Sequence, residues 1–323
     1  MKIVFFGLIG QGTVCLEYLI SSGFDICMVV TEPAEPNASI RLKLSNAENL
    51  MKPSLLEYMK YNRIKEVCAK HRIPYIEVAN RAELLNLSGS LKAAHAETLV
   101  VSTFVFKIPR EILSIFKYAL NVHPSLLPQY RGPSPVMWAL YNNERITGVS
   151  VHQMTDEYDA GDIYGQVKIQ ILPEDTGASL NRKIFEFYAS ELLARVLSDI
   201  QLNKFNIITQ NKNEVSYYGK YMLTDSQIDF ESMTASRVCA VVRAGCHYYP
   251  AHFNFNNETV IVWAAEFIDR NYDAAPGEAV EITENKGLVI QTADKAVNIK
   301  LIQKNLPSDA QLMLGAQLVE LMR

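Results

Sequence analysis

The sequence is short of paired cysteines, long apolar runs and surplus charge of one sign. Five cysteines (Cys15, Cys27, Cys68, Cys239, Cys246) are scattered over 323 residues. Their number is odd and none forms a C-x-x-C pair, so neither a disulfide framework nor a zinc knuckle is suggested. No apolar run approaches the roughly 18 to 20 residues of a membrane span. The opening MKIVFFGLIGQG is too short and too punctuated by glycine for a signal peptide. A soluble, reduced, cytoplasmic protein is the expectation. The formal charge of −4 excludes a chain that holds nucleic acid by bulk positive charge, and leaves open only a local basic patch.

What is present suits a packed core. Hydrophobic residues make up 49%, aromatic ones 10% and charged ones 20%, which excludes disorder and collagen-like repeats. The length fits one large domain or two. The first part alternates strand and helix signals: strands at Lys2–Phe6, Ile26–Val30, Pro74–Val78, Thr98–Thr103 and Ala119–His123, helices at Thr13–Ile20 and Tyr61–His71. That alternation predicts a Rossmann-like α/β fold, a mostly parallel sheet with helices on both faces. Helical periodicity fades after Ser179–Leu202. Short β-rich runs at Thr259–Trp263, Gly287–Gln291 and Ala296–Lys300 follow, separated by turns such as Asn256-Asn257 and Pro276-Gly277. Residues 1–205 are therefore read as one domain, and 206–323 as a small β-rich domain, an OB-like barrel or a sandwich.

Gly7, Gly10 and Gly12 follow the first strand, where a helix N-terminus could cradle a phosphate. Their G-x-x-G-x-G spacing is not the dinucleotide fingerprint, and only Glu32 stands near the place of a ribose-binding acid. A tight strand-to-helix turn is the plainer reading.

The informative stretch is Asn121-Val-His123-Pro-Ser-Leu-Leu-Pro128-Gln-Tyr-Arg131-Gly132. Asn121 and His123 are two apart at a strand end, so they project to one face at the carboxyl edge of the sheet. Downstream, Tyr158-Asp159-Ala160-Gly161-Asp162 puts two carboxylates in a tight turn. An amide, an imidazole and a carboxylate suit amine acylation. The amide donates to the developing oxyanion; the histidine polarises or protonates it. The carboxylate orients the histidine and accepts the amine's proton, directly or through it. Residue types alone leave a capped strand end and an ordinary turn equally open.

NVHPSLLPQYRG at 121–132, TGVSVHQM at 147–154 and DAGDI at 159–163 together resemble the signature of folate-dependent formyltransferases. The likeness is dense from about 95 to 170. It continues through QIDF at 227–230 and VVRAGCHYYPAHF at 241–253. It implies transfer of a formyl group from N10-formyltetrahydrofolate, a co-substrate, to an amine, with Asn121, His123 and Asp159 as the catalytic trio. It places Phe104, Phe106, Ile108, Ser125, Leu126, Leu127, Pro128, Thr155, Asp156, Glu157 and Tyr158 on the folate side. Asp162 is read as structural, Arg131 as pinning the loop or meeting an anion, and His152 as a packed or surface histidine of an alternating strand. No metal site is implied, since asparagine is a poor ligand.

The acceptor is read from charge. Residues 221–323 hold eight Lys and Arg against thirteen Asp and Glu; the rest hold 23 against 22. A tail that grips tRNA should present basic side chains to phosphates. The stretch after the second strand, TEPAEPNASIRLKLSNAENLMKP, also lacks the basic, glycine-containing loop that tRNA enzymes share. TVIVW at 259–263 and the tryptophan of SPVMWALYNNE at 134–144 resemble sugar-nucleotide formyltransferases. A nucleotide-linked amino sugar is thus the preferred acceptor, methionyl-tRNA the alternative, and a folate-binding or formyltetrahydrofolate-hydrolysing relative the second alternative. The sequence leaves the sugar, the base and the oligomeric state, homodimer included, open.

Overall fold

The computed structural model describes residues 1–7, 10–33, 64–245, 249–255, 258–304 and 312–314. Most of the glycine-free stretch after the second strand, the start of the helix expected from Tyr61, Cys246, His247 and the Asn256-Asn257 turn lie outside them.

The first unit runs β1 (Lys2–Gly7), α1 (Gln11–Ser21), β2 (Asp25–Thr31), α2 (Ile64–His71), β3 (Tyr75–Glu77), α3 (Arg81–Asn86), α4 (Ser88–Ala93) and β4 (Thr98–Ser102). It continues with α5 (Arg110–Leu113), β5 (Tyr118–His123), α6 (Pro135–Tyr141), β6 (Ile146–Gln153) and β7 (Ile163–Gln170). The strands form one sheet in the order β3-β2-β1-β4-β5-β6-β7. β3 to β5 are parallel, as the alternation predicts; β6 and β7 add on antiparallel. Both faces are covered, because successive side chains of a strand point to opposite sides. Ile3 and Phe5 enter one core cluster with Leu16, Val100 and Leu120, while Val4 and Phe6 enter another with Leu84, Leu99 and Val101. Each such fully buried side chain stabilises the sheet by roughly 1.5–3 kcal/mol.

The glycines near the start serve the turn into α1. Gly10 caps that helix at φ +92°, and a Cβ on Gly12 would lie 2.8 Å from the Ser102 carbonyl oxygen. α1 therefore packs against the end of β4 at a distance only glycine allows. The helical stretch expected from Ser179 becomes α7 (Gly177–Ile184), a π-helical segment Phe185–Ala189, and α8 (Ser190–Gln201). Thr176 and Ser179 start it with a reciprocal capping box.

The second unit holds α9 (Ala235–Ala244), β8 (His252–Phe255), β9 (Glu258–Ile268), β10 (Ala279–Ile282), β11 (Leu288–Gln291), β12 (Ala296–Lys304) and β13 (Leu312–Leu314). Its antiparallel sheet has the order β10-β11-β12-β9-β8, with β13 paired to β12. Val238 and Val241 of α9 share its core with Val262, Ile290, Val297 and Ile299. Two arginines of α9 tie the units together. The Arg237 guanidinium lies 4.5 Å from the Tyr141 ring centre and donates to the Tyr141 carbonyl; Arg243 Nη2 donates to Asn143 Oδ1 at 2.8 Å.

Between the units, residues 208–218 run back across the first. Ile208 and Ile163 exchange two backbone hydrogen bonds of 2.9 Å, Ser216 N donates to the Pro128 carbonyl, and Tyr218 N donates to that of Arg131. No helix among the described residues is long and apolar enough to cross a membrane.

Candidate active site

β5 ends at the carboxyl edge of the parallel strands, the edge at which open α/β sheets place their sites. Asn121 and His123 project there to one side, as their spacing predicts. β6 lies alongside in a register that sets His152 opposite Asn121. Asn121 Nδ2 donates to His152 Nε2 at 3.1 Å, and His152 Nδ1 stands 2.9 Å from the Gln153 carbonyl oxygen. This pattern assigns the His152 proton to Nδ1 and leaves the second Asn121 N–H available.

Asp159 comes from the turn after β6, in the left-handed region at φ +53°. Its Oδ1 lies 3.6 Å from both His123 Nδ1 and His152 Nε2. Its Oδ2 accepts the Gly132 N–H at 2.9 Å. Gly132 has φ +114°, and a Cβ there would run into the Tyr218 carbonyl oxygen, so only glycine can present that N–H to the carboxylate. His123 Nε2 is 2.9 Å from the Tyr130 carbonyl oxygen, which assigns the proton to Nε2 and turns Nδ1 toward Asp159.

These contacts set the charges. Burial pulls the His123 pKa below its ordinary 6.5, and the Asp159 charge only partly opposes this. Burial also pushes Asp159 upward. The neighbouring His123 and His152 rings and the Gly132 N–H outweigh it and hold the carboxyl at about 2. At neutral pH the pair is therefore a neutral imidazole beside a carboxylate.

Asn121, His123, His152 and Asp159 all face one cavity of about 520 Å³. A cavity of similar size at the amino ends of β1 and β2, lined by Tyr18, Phe24, Glu191 and Arg195, has no such constellation. Among the described residues no group of three or more His, Cys, Asp and Glu could hold a metal ion.

Residues 1–197 match the model of the family described as formyl transferase, and residues 221–313 that of the formyl transferase C-terminal domain. The chain belongs to the formyltransferase family. It is 29% identical over 307 residues to a methionyl-tRNA formyltransferase of Sulfurihydrogenibium sp. (strain YO3AOP1), covering 94% of this chain and 92% of that one. Among solved structures it resembles HypX from Aquifex aeolicus in complex with tetrahydrofolic acid, with a TM-score of 0.63 and 18% identity. That likeness covers 98% of this chain and 46% of HypX, so the chain spans about half of that protein's length. It also resembles the N-formyltransferase from Helicobacter canadensis in complex with folinic acid and dTDP-3-aminofucose. There the TM-score is 0.61 and the identity 21%, over 94% of this chain and 100% of the other.

In this formyltransferase Phe104, Phe106, Ile108, Thr155, Glu157 and Tyr158 line the cavity with the trio. Asp156, expected beside them, faces outward in a surface ion pair with Arg110 at 3.5 Å. Ser125, Leu126, Leu127 and Pro128 are also absent from the cavity wall. They fold against β6: Ser150 Oγ donates to the Ser125 carbonyl at 2.6 Å, Leu127 N donates to Ser150 Oγ, and Leu126 packs over Gly148. Their buried hydrogen bonds shape the loop that presents Tyr130 and Gly132. Arg131 takes the loop-pinning role, donating from Nε and Nη2 to Gln210 Oε1 at 3.1 and 2.7 Å. Asp162 meets the turn through its backbone carbonyl, which accepts from Gln153 N.

The residue that sequence reasoning undervalued is His152. Alternation along β6 puts it on the same face as Ser150, but only antiparallel pairing with β5 brings it to Asn121. Gly132 and Gln210 were missed as partners of Asp159; their signal lies in backbone geometry, not in a motif.

Proposed function

We propose that this protein is an N-formyltransferase that moves a formyl group from N10-formyltetrahydrofolate to the amino group of a nucleotide-linked amino sugar. Residues 1–205 carry the transfer site and 206–323 form the β-rich domain. The observation that carries the reading is the approach of a neutral imidazole nitrogen, a free amide N–H and a buried carboxylate within one cavity. The cavity's Phe104, Phe106, Ile108 and Tyr158 offer a flat apolar ligand such as a pteridine a matching wall.

As the amine attacks the formyl carbon, its proton passes to His123 Nδ1. Asp159 itself, held at about 2, is too weak a base. The imidazolium that forms is stabilised by Asp159 on one side and by the Tyr130 carbonyl on the other. Asn121 donates its second N–H to the developing oxyanion, and the imidazolium returns its proton to the leaving nitrogen of tetrahydrofolate.

For the acceptor, the second unit supplies the support. Among the described residues, five of its basic side chains are turned inward or paired: Arg237 on Tyr141, Arg243 on Asn143, Arg270 over Tyr272, Lys295 with Asp269 at 3.1 Å and Lys300 with Glu266 at 2.7 Å. An acidic surface spending its cations on itself suits a small diphosphate better than an acceptor stem. The other reading, methionyl-tRNA, is favoured by the 29% identity to an enzyme of that name over 94% of the chain. Mass-spectrometric product analysis with dTDP-3-aminofucose and charged initiator tRNA, at low salt, separates them. A formylated sugar nucleotide is expected; efficient formyl-methionyl-tRNA with no sugar product would reverse the assignment.

A further inference from the structure

We propose that Gln210, on the segment between the two units, is the positioning residue that fixes the Asp159 carboxylate against His123. The inference rests on the role given to Asp159 above. Gln210 lies outside both spans matched by the family models, 1–197 and 221–313. It is 7% exposed, and its hydrogen-bonding capacity is filled. Nε2 donates to the carbonyl oxygens of Asp159 at 2.8 Å and Gly161 at 2.7 Å; Oε1 accepts twice from the Arg131 guanidinium. A side-chain amide has two N–H donors and two lone pairs, and all four are used here. A flipped amide would set N–H groups against a guanidinium, so the orientation is unique.

The place of these bonds matters more than their number. Asp159 sits at φ +53°, a left-handed conformation that a residue with a Cβ keeps only where its surroundings hold it. The Gln210 amide grips the carbonyls of Asp159 and Gly161 together, and so holds the turn. Through Arg131 it also grips the neighbouring loop, whose Gly132 N–H binds Asp159 Oδ2. One side chain thus joins the backbone of Asp159 to the loop that holds its carboxylate. Gln210 is itself anchored, since the bridge between Ile208 and Ile163 lies two residues before it and the bonds of Ser216 and Tyr218 to the 128–131 loop lie after it. A segment that otherwise reads as a linker is thereby built into the active site.

The test uses the full-length protein with Gln210→Leu and with Gln210→Met, each of which removes all four bonds without adding a charge. Imidazole titrations of His123 are followed by NMR. The Asp159 charge raises the His123 pKa, so a displaced carboxylate lets His123 titrate lower than in wild type, by about half a pH unit or more. Asp159→Asn should lower it too, and adding Gln210→Leu to Asp159→Asn should lower it no further. Affinity for 5-formyltetrahydrofolate should stay within about twofold, while turnover with dTDP-3-aminofucose or initiator methionyl-tRNA falls about tenfold, the size of one lost charge-assisted hydrogen bond. If Gln210→Leu does not fold, Gln210→Met carries the same comparison. An unchanged His123 titration in a folded variant overturns the proposal, as does a further drop in the Asp159→Asn background. Full turnover by Asp159→Asn would instead remove the role of Asp159 on which the proposal stands.

Discussion

Asn121 and His152 face each other across the antiparallel β5–β6 pair, and the Asn121 amide donates to His152 Nε2 at 3.1 Å. This bond fixes the amide of Asn121, a residue that lines the cavity, and uses one of its two N–H groups. His152→Phe keeps an aromatic ring and removes the acceptor. The expected result is a folded protein with turnover down about fivefold, the equivalent of one hydrogen bond of about 1 kcal/mol. Steady-state kinetics with unchanged folate KM would show it.

His123→Ala removes the proton acceptor and the cation that forms on it. Losing one donor to an oxyanion costs about 10²- to 10³-fold in turnover, and the general base adds to this. The variant should fold but unfold at a lower temperature than wild type, because it leaves a cavity and deprives the Tyr130 carbonyl of its partner. Near-normal turnover would mean that another group takes the amine's proton.

Acidity should act in two windows. His123 has a lowered folded pKa, so the unfolded chain binds the extra proton first, and stability falls as pH drops below about 6.5. Asp159 is held at about 2 against an ordinary 3.8, so its contribution, of order 2 kcal/mol, is present above about pH 4 and disappears as pH falls toward 2. Urea titrations across pH should show His123→Gln flattening the upper window and Asp159→Asn the lower. For activity the sign is the same: the neutral imidazole persists below pH 6.5, so the acid limb of kcat/KM should lie under that value.

Much of this was legible in the sequence, and for identifiable reasons. β1 and β4 are almost wholly buried runs because both faces of a parallel sheet are covered, and such runs stand out. Asn121 and His123 were placed on one face by strand geometry alone, and the resemblance supplied Asp159. Other residues are legible only in part. Ser125 to Pro128 carry a strong motif, and how their loop folds under β6 through Ser150 is seen only in the structure. Trp138, taken as a sign of the acceptor, donates from Nε1 to the Gly219 carbonyl at 2.8 Å and stacks on Tyr218; it anchors the segment between the units. His152 and Gln210 depend on strand pairing and on a contact 51 residues away, neither of which a single-chain pattern records.

Salt should separate the acceptors. A nucleoside diphosphate brings about two charges to a few basic groups, so binding should weaken moderately with salt and be competed by the free diphosphate. A tRNA contact over many phosphates would weaken by orders of magnitude between about 50 and 200 mM. Calorimetry with dTDP at both ionic strengths checks this; undetectable dTDP binding at low salt would count against the sugar-nucleotide reading.

The central claim, that formyl transfer runs through His123 supported by Asp159, is tested most directly by tetrahydrofolate release from N10-formyltetrahydrofolate, measured with and without an amine acceptor. The account predicts release that requires dTDP-3-aminofucose or another amino-sugar nucleotide, that matches formylated product one for one, and that falls by about 10² or more in both His123→Ala and Asp159→Asn. Release at the same rate without any acceptor, or release untouched by both substitutions, would contradict it.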